Sequence, residues 1–584
     1  MSVAVQATFS ATLVDEWVRA GVRDAVVCPG SRSTPLALAL AGRAELRLHV
    51  RLDERAAGFF ALGLASASGR PVVVCVTSGT AAAELHPAVV EAHHGRVPLV
   101  VCTADRPPEL HGVGAAQTID QSGLYSGALR WAADPGVPLE ETAWSWRSLG
   151  ARAVAEAVSG PMGPGPVHLN LAFREPLVGE PGPLPEGRAA GSPAHCVVAH
   201  GGVEEPWSWP AANGVLLAGA GCGPHELVLA LADHLGWPVL ADPRSGCRVP
   251  HDHVVAAADA LARHAPGPLR PDVVVRLGAS WASSALGGFC ARAEVIAVDP
   301  WWRWEDPERR VAVVHRADPK SWLAAALEVP APRPSPGWLE GWQDAERVAQ
   351  KAIDTALGDR QLSEPMLARR LFQAVPEGAT VVVSSSMPVR DLEWFAPVRP
   401  APPVVLANRG ANGIDGSCAT SLGAAAAGCG PVVALVGDLA FFHDLSSLVA
   451  PAGTAEAAGQ SCTIVVVDNA GGGIFEFLPQ AGGIDHALFE RVFAAPQAPD
   501  VLEAAAGLGA RTADVSTPRE LVEAVRAGTR SSGVTVVRAR VPSRQENVAV
   551  HQRVHAAVGD ALGELGLLGP ARRALASGSE QRCG

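Results

Sequence analysis

Two short segments, far apart in the chain, combine residue types that suit a metal and phosphate site. Pro431–Leu448 reads PVVALVGDLAFFHDLSSL and Thr463–Phe475 reads TIVVVDNAGGGIF, each an apolar run that ends on an acidic or amide residue with glycine beside it. Asp438 offers a carboxylate, Asn469 a side-chain amide oxygen and Gly471 a bare backbone carbonyl, the hard oxygen donors that Mg²⁺ or Ca²⁺ takes. Gly437 and Gly471–Gly473 let backbone N–H groups approach phosphate oxygens. A spacing of roughly thirty residues is one βαβ crossover, which would set both strand ends side by side at the carboxyl edge of a parallel sheet. Taken alone, each segment reads more readily as an ordinary strand-end turn.

Other chemistry-bearing residues also sit where strands end. Glu54 opens a helix in LDERAAGFF, where by itself it is a favourable charge at a helix N-terminus. Arg32 in PGSRS, Arg106 in ADRPP, Arg390 in SSMPVRD and Arg409 in ANRGAN all follow strands. A lone surface arginine is usually solvated, but planar two-pronged donors gathered at strand ends suit carboxylates. His93, His94 and His443 pair with no nucleophile or metal set and read as structural. Ser78 in TSGT lacks the G-x-S-x-G elbow of a hydrolase nucleophile.

The elements that must position these residues are short Val-rich runs alternating with alanine-rich amphipathic stretches. From Asp24 to Arg106 the order is AVVCPGS, a helix from Thr34, LRLHVR, a helix from Glu54, PVVVCV and a helix from about Thr80. A second series begins near Gln361 with ATVVVSS, PVVLANRG, PVVALVGD and TIVVVDN. Such alternation predicts parallel sheets flanked by helices, so the fold class is α/β. Weaker strands at GVLLAGAG, DVVVRLG and AEVIAVD predict a further α/β domain between the two series. The expected division is 1–180, 181–359 and 360–570, with a disordered tail at 571–584 and proline- and glycine-rich linkers at Pro181–Gly187 and Val329–Gly337. The first and third domains are similar enough in pattern to be related copies.

The GD…N pattern at Asp438 and Asn469 resembles the metal–diphosphate motif of the thiamine-diphosphate enzymes. Leu439 replaces the usual third-position glycine, a departure that one branch of that family shares. The ordered segments Cys28–Leu36, Leu52–Ala65, Thr77–Ala92, Thr103–Leu110, Gln117–Gln121, Gly165–Leu177 and Asn408–Gly416 are similar to those of its menaquinone-pathway branch, with weak similarity in the middle third. This resemblance implies a three-domain architecture whose first domain holds the cofactor's pyrimidine and whose third holds its diphosphate. Glu54 would hydrogen-bond the pyrimidine nitrogen as the catalytic acid–base partner. Asp438, Asn469 and the Gly471 carbonyl would bind Mg²⁺, with Mn²⁺ the alternative, and Gly437, Leu439, Ala440 and Gly472 would surround the diphosphate. Ile414 would wedge the cofactor into its bent shape, and Ile474, Phe475 and Leu478 would wall the reacting centre; core packing is the plain reading of those four and is compatible with both roles. Ser31, Arg32, Arg106, Gln117, Ser386, Arg390 and Arg409 would hold substrate carboxylates. The implied substrates are the dianions 2-oxoglutarate and isochorismate, joined by a transferase acting as a homodimer or homotetramer with its sites between chains.

Three positions depart from that pattern. Ala116 replaces an asparagine that commonly precedes the QTIDQ-type glutamine, and Ser284 and Ala285 stand where relatives carry basic residues reaching the substrate. Arg276 or another cation would have to compensate, or the acceptor differs. The rival readings are therefore a carboligase with the same donor and another acceptor, and a catalytically silent member of the family.

Composition bounds the rest. The 584 residues are 48% hydrophobic, enough for three cores, and the formal charge of −12 argues against a nucleic-acid surface. Only Lys320 and Lys351 are lysines, so almost all positive charge is arginine. Eleven cysteines without a C-x-x-C pair suit buried thiols in a reducing compartment. Met1–Val18 lacks a signal-peptide pattern, and the most apolar stretch, Thr420–Val436, is broken by glycine and proline. A cytoplasmic location with no membrane span is the expectation.

Overall fold

The computed structural model describes residues 3–195, 207–301, 305–449 and 460–568. The tail expected at 571–584 lies outside these residues. Three six-stranded sheets organise the chain, and their strand pairings are parallel. In the first sheet β1 (Asp24–Val27), β2 (Arg47–Val50), β3 (Val72–Val76), β4 (Leu99–Asp105), β5 (Trp131–Ala133) and β6 (Pro166–Ala172) stand in the order β2-β1-β3-β4-β6-β5. The middle sheet contains β7 (Gly214–Ala218), β8 (Val239–Ala241), β9 (Val254–Val255), β10 (Val273–Leu277), β11 (Glu294–Val298) and β12 (Val311–His315), ordered β12-β11-β10-β7-β8-β9. The third holds β13 (Thr380–Val383), β14 (Val404–Leu406), β15 (Val432–Gly437), β16 (Ser461–Asp468), β17 (Arg511–Val515) and β18 (Gly533–Arg540), ordered β14-β13-β15-β16-β18-β17. Strand for strand, this repeats the order of the first sheet. Kinship of the two outer domains, expected from pattern, is thus matched by topology.

The Val-rich runs form these strands because helices cover both sheet faces and leave no polar side to the strand. Every residue of β3 and β10 is buried. In both outer sheets the strand order reverses between the first and third strands in sequence, at β1/β3 and at β13/β15. A crevice opens there beyond the carboxyl ends of the strands, the ordinary ligand position in such sheets.

The outer domains lock together through two helices in close contact. On Glu54–Ser68, a Cβ at Gly63 would lie 2.0 Å from the Thr420 carbonyl oxygen; on Ser417–Ala426, a Cβ at Gly423 would lie 1.9 Å from the Phe60 carbonyl oxygen. Both glycines are therefore required for the approach. Glu91 adds a polar tie by accepting from the Gly410 and Ala411 N–H groups, each at 2.6 Å. The last helix, Arg544–Glu564, starts on a capping box formed by Ser543 and Glu546, then crosses to the middle domain. Its Val550, Val554, Val558 and Leu562 share a core with Trp338 and Trp342 of the Trp338–Leu357 helix.

Among the described residues no helix is long and apolar enough to cross a membrane. The nine described cysteines are free thiols, all buried except Cys429.

Candidate active site

A cavity of about 410 Å³ opens at the β13/β15 crossover of the third sheet. Parallel pairing sets Gly437 opposite Val467, so the chain leaves β15 and β16 side by side with Asp438 and Asn469 at the mouth. The lining gathers Gly437, Asp438, Leu439, Ala440, Asn469, Gly471, Gly472, Ile474 and Phe475, joined by Ile414, Ser386, Arg390 and Arg409. These thirty-residue-spaced segments and the distant arginines therefore meet in one crevice.

Asp438 is buried, and its two oxygens accept the Leu439 and Gly471 N–H groups, each at 2.7 Å. Burial raises its carboxyl to about 6 despite those two bonds, so the site favours a cation beside it. Asn469 donates from Nδ2 to Glu364 Oε1 at 2.7 Å, while its Oδ1 is buried without a hydrogen-bond partner. Gly471 holds φ +123°, and a Cβ there would sit 2.1 Å from the Ala494 carbonyl oxygen. Only glycine supplies a backbone carbonyl at that point. An orphaned amide oxygen, a desolvated carboxylate and a glycine-rich cradle are a donor set that fits a hard divalent cation carrying phosphate oxygens.

The arginine end of the cavity is prepared for anions. Ser386 adopts φ +73°, a strained conformation for a residue with a side chain, and its carbonyl accepts Arg390 Nη1 at 2.6 Å. Burial, reinforced by the guanidiniums of Arg244 and Arg390, holds Arg409 below its ordinary value. Arg244 is itself paired with Asp242 at 2.7 Å and donates to the Ser280 carbonyl. The middle domain thus brings Arg244, and not the anticipated Arg276, up to the cavity arginines. Arg276 faces Glu305, Asp306, Asp299 and Glu308 instead.

The remaining anticipated residues lie in the first domain. Arg106 Nη1 donates to Ser78 Oγ at 2.7 Å, Ser78 Oγ donates to the Gln117 carbonyl at 3.0 Å, and Gln117 Nε2 donates to the Ser78 carbonyl at 2.8 Å. Arg32 donates to the Phe173 carbonyl at 3.0 Å and pairs with exposed Glu175 at 3.2 Å. Burial, with Arg106 next in effect, lowers the Arg32 value, so both guanidiniums share one electrostatic environment with exposed Ser31 beside them. Glu54 opens its helix after the Asp53 cap, which accepts from Ala56 N at 3.0 Å and from Ser446 Oγ at 2.6 Å. Burial, helped by the Asp53 and Glu84 charges, raises the Glu54 carboxyl above its ordinary range. None of these residues lines the third-domain cavity. Leu478 is 40% exposed just past the Gly473–Phe477 turn and also stays outside the lining. Within one chain the anticipated residues therefore fall into two separate groups.

Sequence reasoning missed Glu364, Ser385, Met387, Pro388, Asn412 and Val467 in the lining, and the place of Ser78 beneath Arg106. Glu364 stands in Ser-Glu-Pro at a helix start, which reads only as capping; its partner is 105 residues away.

Two doubly wound sheets of one strand order, the third-domain sheet with a crevice lined by Asp438, Asn469 and glycines and the first-domain sheet beside a desolvated glutamate, fit a thiamine-diphosphate-dependent enzyme. Residues 7–124 match the thiamine pyrophosphate enzyme N-terminal TPP binding domain, 200–383 the middle domain of thiamine pyrophosphate, and 393–539 the C-terminal TPP binding domain. The chain is 40% identical over 579 residues to a 2-succinyl-5-enolpyruvyl-6-hydroxy-3-cyclohexene-1-carboxylate synthase of Chloroflexus aurantiacus, covering 94% of this chain and 95% of that protein. It is 40% identical to the Myxococcus xanthus synthase of the same name, covering 94% and 97%, and 43% identical to that of Thermobifida fusca, covering 85% and 89%. The chain belongs to the 2-succinyl-5-enolpyruvyl-6-hydroxy-3-cyclohexene-1-carboxylate synthase family.

Proposed function

We propose that this chain decarboxylates 2-oxoglutarate and adds the succinyl unit to the ring alkene of isochorismate, a 1,4-addition that gives 2-succinyl-5-enolpyruvyl-6-hydroxy-3-cyclohexene-1-carboxylate for menaquinone biosynthesis. The single observation that carries this reading is whole-length identity of about 40% to curated synthases, and the Asp438, Asn469 and Gly471 cavity is consistent with it. Thiamine diphosphate, when bound, supplies the nucleophilic carbon and the electron sink for decarboxylation. The protein supplies position, charge and one proton relay.

Asp438, Asn469 and the Gly471 carbonyl would hold Mg²⁺, for which Mn²⁺ could substitute, and Gly437, Leu439, Ala440 and Gly472 would surround the diphosphate. Ile414, Ile474 and Phe475 exclude water, with Leu478 at the rim. Glu54 holds the proton shared with the pyrimidine nitrogen; its desolvation favours the protonated acid that such sharing requires. Arg390, Arg409 and Ser386 take one carboxylate group, while Arg32, Arg106, Gln117 and Ser31 take another. Two dianions meet four guanidiniums, a charge match that fixes orientation before any bond changes.

The separation of the two groups within one chain supports an assembly in which the Glu54 half of one copy covers the Asp438 half of another, so the working form is a homodimer or a homotetramer built from such dimers. The free thiols among the described residues support a cytoplasmic location.

The test supplies thiamine diphosphate, Mg²⁺ and 2-oxoglutarate, and measures CO₂ and adduct with and without isochorismate. CO₂ and the expected adduct support the reading. CO₂ without that adduct points to another acceptor, the reading raised by Ala116, Ser284 and Ala285, and neither product points to a silent family member.

A further inference from the structure

Asparagine is an ambiguous metal ligand, because its amide has a donating and an accepting end of nearly equal shape. Whether Asn469 ligates depends on which end faces the cation. Its Nδ2 donates to Glu364 Oε1 at 2.7 Å, and its Oδ1 is buried with no partner. Glu364, Asn469 and Gly473 all line the cavity.

Glu364 reaches this point from a helix that precedes β13. It is the first residue of the Glu364–Ala374 helix, 3% exposed, after the Ser363 cap and before Pro365. Glu364 Oε1 accepts the NH₂ end of the amide, which leaves Oδ1 as the unpartnered end. Gly473 leaves room for the pair. A Cβ there would sit 2.7 Å from Asn469 Nδ2 and 3.7 Å from Glu364 Oε1, so a side chain would displace the amide from its acceptor. This gives the third glycine of the AGGG run a role separate from any contact with phosphate.

We propose that Glu364 and Gly473 are positioning residues that fix the Asn469 amide with Oδ1 presented to the divalent cation. The inference rests on the metal–diphosphate reading of the cavity and adds two residues to it. Outer partners of this kind typically change metal affinity tenfold to a hundredfold when removed.

The test is a Mn²⁺ titration followed by electron paramagnetic resonance, on full-length metal-free protein with saturating thiamine diphosphate. Asp438→Ala is the control for the underlying reading, and unchanged Mn²⁺ binding in that variant would overturn the reading itself. With the control satisfied, Glu364→Leu and Gly473→Ala bind Mn²⁺ about tenfold to a hundredfold more weakly. Glu364→Gln, which keeps an acceptor oxygen, binds close to wild type, a rescue that a purely packing role would not single out. Wild-type affinity in the leucine and alanine variants, or equal weakening by glutamine and leucine, overturns the inference. Should Glu364→Leu fail to fold by circular dichroism, Gly473→Ala and Glu364→Gln still decide it.

Discussion

The guanidinium of Arg106 is held by the hydroxyl of Ser78, 2.7 Å from Nη1, and that hydroxyl in turn donates to the Gln117 carbonyl at 3.0 Å. Ser78 is fully buried, so the arginine is aimed by the protein and not by solvent. A hydrogen bond to a charged group is worth about 1.5–3 kcal/mol. Ser78→Ala should therefore raise KM for an anionic substrate roughly tenfold, with a smaller change in kcat and an unchanged circular dichroism spectrum. Steady-state kinetics with each substrate varied in turn checks this. A fall in kcat alone would remove Ser78 from substrate binding.

That serine illustrates what was legible in the chain. β3, β13, β15 and β16 were readable because strands buried on both faces must be continuously apolar, and Asp438 with Asn469 was readable because their spacing is one crossover. Ser78, Glu364 and Arg244 were not readable, since their roles arise from contacts between distant segments that follow no period. Arg276 was one of the groups expected to compensate, beside an unnamed other group or a different acceptor, yet acidic neighbours surround it. A basic residue's sequence position says nothing about which carboxylates surround it.

Glu54→Gln should fold normally and lose at least about a hundredfold in turnover, because an amide cannot share the proton that the ring nitrogen needs. The assembly reading adds a sharper expectation. Glu54→Gln and Asp438→Ala, each inactive alone, should recover about a quarter of wild-type activity after mixing, dissociation and reassociation, since half of the dimers then carry one intact site of two. Activity that stays at zero in demonstrated mixed dimers would mean that each site takes both residues from one chain.

Gly423→Ala should destabilise the joint between the outer domains. Alanine gains about 1 kcal/mol in helix propensity, but its Cβ would meet the Phe60 carbonyl oxygen at 1.9 Å, an overlap that backbone movement must relieve. Overpacking of that kind costs about 1–3 kcal/mol or more. The net effect is a loss of up to about 2 kcal/mol or more, read as a lower urea midpoint, and a raised midpoint would contradict the close packing of the two helices.

His168 predicts an acid limb in stability. It is buried against Thr103 at 2.7 Å, and burial lowers its value from 6.5 to about 4. The unfolded chain takes up this proton near pH 6.5 while the folded chain resists until about 4, so the contribution is complete above pH 6.5 and is lost as pH falls through that window. The full effect is on the order of 3 kcal/mol. His168→Gln should flatten the fall in unfolding free energy between those limits, and an identical slope in the variant would show that another group carries it.

The most direct test of the whole account is a structure of the chain with thiamine diphosphate and Mn²⁺, located by the metal's anomalous scattering. The account predicts a single Mn²⁺ peak among Asp438, Asn469 and the Gly471 carbonyl, diphosphate density along Gly437–Ala440, and the pyrimidine ring against Glu54 of a second copy. An empty crevice at saturating cofactor, or a metal bound elsewhere, would contradict it.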